Sequence, residues 1–351
     1  MNAEQIIKDY FNVNSYLSLS KGEIVYFRLD SDLFKDDNVV PNLIELLTEN
    51  YVKNGYAHRY SNELQTYLLD KKPLNYSVVP LKNIQSNFEG QSNFGRYNIV
   101  TNIRSYEEAL KMINTNYIGN KDVSLEDFSD DEKLNIDRTG TIDTNGESVI
   151  FFTFDDWGGD PIVNEILDVL NKHNVKATFF TIAKYSDVNS GISNINPNLL
   201  RTIALNGHDI GSHNYNHELL DTNKAELKKS LIKSYEVMSN VIGDLDSLRQ
   251  YFRPPTLLVR KAGLEAVFES GYNYSVGANI STHDYESASS QEILDAIEPK
   301  LVEGKGNIVI MHFNNQSYYT AEALDKFLTN NENGVYGTKY KIAKLSDYLE
   351  K

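Results

Sequence analysis

Two carboxylates, Asp155 and Asp156, stand side by side at the end of an apolar, strand-like run, VIFFTFDDWGGD, over residues 149–160. An Asp-Asp pair alone is most often a solvated turn or a helix cap. Further along, SHNYNH places His213 and His217 at i, i+4, the spacing that brings two imidazoles onto one helical turn and can present both to one metal. Arg253 in QYFRPP and His312 in NIVIMH add a cation and a third imidazole. Two histidines and an aspartate, with a position left for water, form the kind of ligand set a catalytic zinc takes. Neighbouring residues on an extended backbone point to opposite sides, so one aspartate can bind the metal while the other faces the substrate. A water on such a metal, with a carboxylate to take its proton, is a nucleophile near neutral pH, and a histidine can then protonate a leaving nitrogen. Arg253 beside the base would hold its charge and orientation.

These residues need a scaffold, and from residue 148 onward the sequence alternates strand and helix. VIFFTF reads as a strand, followed by a helix capped by Asp160 with Pro161 at its first position. KATFFTI is the next strand, and a helix runs from Asn196 and Pro197 to Gly207. HDIGS is a short strand, and Asn223 with Glu226 makes a capping-box pattern at the head of a long helix. QYFRPP, the helix KAGLEAVFESG, the strand YNYSVGA, a helix from about Ser290, the strand NIVIMH and a helix near Thr320 follow. Strands too apolar to face water on either side, nearly all followed by helices, predict a parallel sheet covered by helices, best closed as a barrel with fewer than eight units. Asp155, Asp156, His213, Arg253 and His312 all fall at the C-terminal ends of strands, where βα loops assemble active sites.

The first 126 residues mix strand-like runs (EIVYFRL, YNIVTNI) with helical patterns (NVVPNLIELLTENYV, SYEEALKMI) and read as a smaller α/β or α+β domain of unassigned role. Residues 127–147 are acidic and polar, as an exposed linker is, and the catalytic domain is expected over 148–351. A net charge of −15 argues against a nucleic-acid partner. The absence of cysteine excludes thiolate ligands and a cysteine nucleophile. No stretch approaches a membrane span, and the N-terminus shows no basic start followed by an apolar run.

TFDD (153–156), SHNYNH (212–217), RPP (253–255), HDY (283–285) and IVIMH (308–312) resemble, in order, the five motifs of the polysaccharide deacetylases, the NodB-homology or carbohydrate esterase family 4. The resemblance covers roughly residues 148–350. It implies a distorted (β/α) barrel of about seven units, a divalent metal, usually zinc, and removal of acetyl groups from N-acetylated or O-acetylated sugars. The substrate would be a cell-wall or surface polymer of N-acetylglucosamine type, placing the protein outside the cell or in its envelope. Position by position, Asp155 matches the catalytic base, Asp156, His213 and His217 the metal ligands, Arg253 the residue that steadies the base, and His312 the general acid. Asp284 matches the carboxylate that tunes that acid, and a backbone N–H near Thr256 would donate to the oxyanion. Three positions depart from the pattern: Trp157 where many members have glycine, Thr256 where tyrosine is common, and Tyr285 where tryptophan is usual. These are expected on the sugar-contacting wall. A surface carbohydrate-binding protein that has lost catalysis, and a small-molecule amide hydrolase on the same barrel, stay open as alternatives.

Overall fold

The computed structural model describes residues 103–350, apart from 193–194 and 244–245. The N-terminal runs EIVYFRL and NVVPNLIELLTENYV lie outside the described residues.

At the centre is strand β3, Val149–Asp156, which pairs in parallel with β4 (Thr178–Thr181) on one side and β9 (Gly306–His312) on the other. Beyond β4 the sheet continues through β5 (Asp209–Ser212), β6 (Leu248–Phe252), β7 (Tyr274–Val276) and β1 (Tyr117–Ile118). Strand β8 (Ile280–Ser281), reached from β7 through residues 277–279, pairs with β9 from the opposite end of the strand order, which curls the sheet towards closure. Strand β2 (Thr141–Ile142) is antiparallel to β9, and β10 (Lys341–Ile342) is parallel to the start of β3. The result is an α/β fold, a near-closed mixed barrel flanked by helices, as the sequence predicts. The short strands β1, β2, β8 and β10 carry too little pattern to be read from sequence.

Period-two alternation decides what each face of β3 does. Ile150, Phe152 and Phe154 pack outward, in one cluster with Val163, Ile166, Leu167 and Leu170 of helix α3 (Asp160–Lys172). Val149 and Phe151 pack inward with Phe180, Tyr251, Ile308 and Ile310. Full burial of a phenylalanine is worth about 1.5–3 kcal/mol, so this register is firmly held.

The helix boundaries follow their caps closely. Helix α3 begins one residue earlier than expected, with Gly159 in the cap position and the proline in the first turn. Asn196 caps α4 (Pro197–Leu205) by accepting from the Leu199 amide, and Asn223 caps α5 (Lys224–Ile242) through the Ala225 and Glu226 amides. Helix α6 (Lys261–Glu269), helix α7 (Ser290–Ile297, capped by Ser289) and helix α8 (Thr320–Glu332) complete the outer layer.

The stretch ahead of the barrel packs onto it. SYEEALKMI forms a helix over Tyr106–Asn116, held by a capping box between Ser105 and Glu108. Its Ala109 and Ile113 pack with Leu264 and Phe268 of α6, and β1 adds to the sheet beside β7. Within 127–147 most residues are exposed or partly buried, with a few anchors. Phe128, Ile136 and Ile142 are buried, because these few apolar residues among many polar ones are the ones the barrel covers. No helix among the described residues is long and apolar enough to cross a membrane.

One buried base makes the fold acid-sensitive. His208, at the entry to β5, accepts from the Ala177 amide at Nδ1 (3.1 Å). Burial first, then the charges of Lys176 and Lys344, push its pKa from 6.5 down to about 3. The unfolded chain binds this proton near pH 6.5 and the folded chain only near pH 3, so stability falls as pH drops through that window, by up to about 1.4 kcal/mol per pH unit. His208→Asn keeps an acceptor near the Nδ1 position and removes the titration. Its urea midpoint should therefore decline less steeply than wild type below pH 6.5; parallel curves would contradict this assignment.

Candidate metal centre

The closing carboxylates of β3 part company as the strand alternation requires. Asp155 shares the inner face with Thr153 and Phe151, is 4% exposed, and accepts from Arg253 Nη1 at 2.8 Å. Asp156, one residue on and at φ 83°, leaves the extended conformation and is only partly buried. Its Oδ1 lies 3.6 Å from His213 Nε2 and 3.5 Å from His217 Nε2. One ligand atom from each of Asp156, His213 and His217 falls within 4.8 Å of the others, a spacing suited to a single metal ion.

The two histidines do not share a helical turn. Residues 213–217 form a loop in which Asn214 and His217 take left-handed backbone conformations, φ 69° and 60°. The loop still brings the imidazoles together, with ring centroids 4.9 Å apart. Buried Asn214 holds it: Nδ2 donates to the Glu218 carbonyl (3.0 Å) and Oδ1 accepts from the Ser230 hydroxyl (3.0 Å). The Ala183 and Lys184 amides donate to the Asn214 and Tyr215 carbonyls (3.1 and 2.9 Å).

Hydrogen bonds to groups that can only accept fix the imidazole tautomers. His213 Nδ1 lies 2.9 Å from the Arg253 carbonyl, so Nδ1 carries the proton and Nε2 offers its lone pair to the site. His312 Nδ1 lies 2.7 Å from Asp284 Oδ1. Asp284 is fully buried and its Oδ2 accepts from the His312 amide (2.8 Å) and the Thr320 hydroxyl. The register sets Asp155 opposite His312 on adjacent parallel strands, so His312, on the inner face of β9, stands beside both aspartates.

Burial is the largest influence on His213 and lowers its pKa despite Asp155 and Asp156 nearby. Burial pushes Asp156 up, but His213, the Asn314 hydrogen bond, His312 and His217 outweigh it and the net shift is downward. A neutral imidazole and an ionised carboxylate are the metal-binding forms of both groups. On His312 burial acts downward, while the Asp284 hydrogen bond and charge prevail and raise its pKa.

Arg253 is completely buried. Nη1 donates to Asp155 Oδ1 and to Thr153 Oγ1 (2.6 Å), Nε to the Val276 carbonyl (3.1 Å) and Nη2 to the Gly277 carbonyl (3.1 Å), with the guanidinium 4.2 Å from the Phe180 ring. Thr256 lies exposed in the turn that follows, with φ 56°, and Leu257 after it has φ 57°. Tyr285, half-buried, sets its ring edge against His312 (centroids 4.8 Å, 84°). Trp157 corrects an expectation. Instead of forming the cleft rim it is 8% exposed, stacked on Tyr185 (5.8 Å) and edge-on to Phe313 (6.3 Å), because a large apolar ring after the strand end gains more from the core than from water. Thr153, Asn214, Asn314 and Thr320 were missed as site residues. Their only sequence signal is closeness to the aspartates, to the histidines or to the start of α8.

A model of the family described as polysaccharide deacetylase matches residues 142–275. Over this stretch the barrel is similar to the polysaccharide deacetylase family. The curated relatives of this barrel include a peptidoglycan-N-acetylglucosamine deacetylase of Bacillus cereus, 28% identical over 182 residues, covering 51% of this chain and 62% of that protein. Another, the peptidoglycan-N-acetylglucosamine deacetylase PgdA of Listeria monocytogenes, is 29% identical over 215 residues, covering 58% of this chain and 41% of its own. The match thus spans less than two thirds of either relative. A crystal structure of a peptidoglycan N-acetylglucosamine deacetylase in complex with 4-naphthalen-1-yl-N-oxidanyl-benzamide superposes with a TM-score of 0.51 at 23% identity, over 59% of this chain and 90% of that one, which is a likeness of fold.

The Arg253–Asp155 pair makes a stability prediction for the barrel. Arg253→Met leaves a buried carboxylate without its cation and should cost about 3–5 kcal/mol in urea unfolding of the metal-free protein. A loss below about 1 kcal/mol would mean the pair is dispensable to the fold.

Proposed function

We propose that the protein is a zinc-dependent deacetylase that removes acetyl groups from N-acetylated sugars of a cell-wall or surface polysaccharide, acting outside the cell or in its envelope. The observation that carries this reading is the division of the two aspartates: Asp156 faces two histidine Nε2 atoms, while Asp155 is bonded to buried Arg253 and stands opposite His312. The fit to a metal rests on the donors themselves, a carboxylate oxygen and an imidazole whose tautomer leaves Nε2 free, with His217 and Asp156 only partly buried so that the site stays open to water and substrate. The names of the Bacillus and Listeria relatives support the substrate class.

Asp156, His213 and His217 would hold the zinc, whose Lewis acidity would polarise a water and the acetyl carbonyl. Asp155 takes the proton of the water as its oxygen attacks the carbonyl carbon. A backbone N–H in the turn at Thr256 donates to the carbonyl oxygen as negative charge develops on it. His312, protonated and held through Nδ1 by Asp284, gives its Nε2 proton to the departing nitrogen as the C–N bond breaks. The products are acetate and a free amine on the sugar. Thr256 and Tyr285 are the proposed sugar contacts, and Trp157 shapes the site from behind through Phe313.

Acetate release tests the reading, measured on N-acetylglucosamine oligomers, peptidoglycan and acetylated xylan, with added zinc and after chelation. The account predicts release from the N-acetylated substrates, lost on chelation and restored by zinc. A folded, zinc-loaded protein that binds these glycans and frees no acetate would instead be a carbohydrate-binding module.

A further inference from the structure

The loop between β9 and α8 begins by locking onto the loop that follows β3. The Phe313 amide donates to the Asp155 carbonyl (3.2 Å), and the Gly159 amide donates to Asn315 Oδ1 (2.7 Å). A Cβ at position 158 would overlap the Phe313 carbonyl, so glycine permits the approach. Between these contacts Asn314 Nδ2 donates to Asp156 Oδ2 at 3.0 Å. The opposite end of the same amide accepts from the Gln316 amide (2.9 Å) and the Ser317 hydroxyl (3.2 Å), which assigns nitrogen and oxygen unambiguously.

The two oxygens of Asp156 are thereby made unequal. Oδ2 is held by Asn314, and Oδ1 is the atom nearest both histidine Nε2 atoms. We propose that Asn314 is a positioning residue of the metal centre, which fixes the rotation of the Asp156 carboxylate so that Oδ1 alone faces the ion. The proposal rests on the metal-dependent reading above. A carboxamide suits this task because it donates a directional hydrogen bond without charge. A lysine or arginine in its place would neutralise the one anionic ligand and lower the site's attraction for a cation. Trp157, packed edge-on to Phe313, braces the start of the loop that carries Asn314.

The test is zinc affinity of the full chain, read by competition with a chromophoric chelator, for wild type, Asn314→Ala, Asn314→Leu and Asn315→Ala, with thermal midpoints of the metal-free proteins alongside. The Ala and Leu variants at 314 should bind zinc about 10–100-fold more weakly, the range for loss of a partner that orients a ligand. Asn315→Ala, which loosens the loop and keeps the donor, should stay within about threefold of wild type, well short of that range. Wild-type affinity in both Asn314 variants would overturn the proposal. So would equal zinc loss and equal thermal destabilisation across the 314 and 315 variants, which would make Asn314 a loop fastener only. Failure of the deacetylase reading would look different: wild type itself would hold no zinc, or would hold it and release no acetate.

Discussion

A guanidinium with no exposure to water needs partners for its fork of N–H donors, and the geometry of this barrel follows from where Arg253 finds them. Thr153 and Asp155 on β3 take one arm, and the carbonyls of Val276 and Gly277 at the end of β7 take the rest. The residue's own carbonyl then accepts from His213 and fixes which ring nitrogen faces the metal position. One buried cation therefore ties together Asp155, His213 and two strands that are not neighbours in the sheet. A buried charge is tolerable only with such complete pairing.

Acceptor-only partners recur around the centre. A carbonyl behind His213 and a carboxylate behind His312 each take an Nδ1–H, which leaves both Nε2 atoms to the site, one facing Asp156 and one on the residue opposite Asp155. The two rings are nevertheless tuned apart. Burial dominates His213 and lowers its pKa, whereas Asp284 overcomes burial at His312 and raises it. The same side chain type is biased towards its neutral form in one place and towards its protonated form in the other.

Strand alternation made much of this legible in the sequence. The odd and even positions of VIFFTFDD sort inward and outward, which separates Asp155 from Asp156, although the left-handed backbone at Asp156 was not legible. Pro161, Asn196 and Asn223 marked helix starts to within a residue because capping is local chemistry. What depends on distant groups was not legible. The SHNYNH loop is bent left-handed at Asn214, whose side chain is held by Ser230 and Glu218, and no i, i+4 pattern encodes those partners. Trp157 was read as a rim residue because nothing in its neighbours announces Tyr185 and Phe313. The polar stretch 127–147 hides three anchors, Phe128, Ile136 and Ile142, too sparse to form a period.

The proposed reaction gives the adjacent aspartates separate tasks. Zinc content and acetate release of Asp155→Asn and Asp156→Asn, measured side by side on folded protein, test it most directly. The account predicts that Asp155→Asn keeps zinc and loses turnover by about 10²-fold or more, while Asp156→Asn loses the zinc. An Asp155→Asn protein without zinc beside an Asp156→Asn protein that retains it would contradict the account.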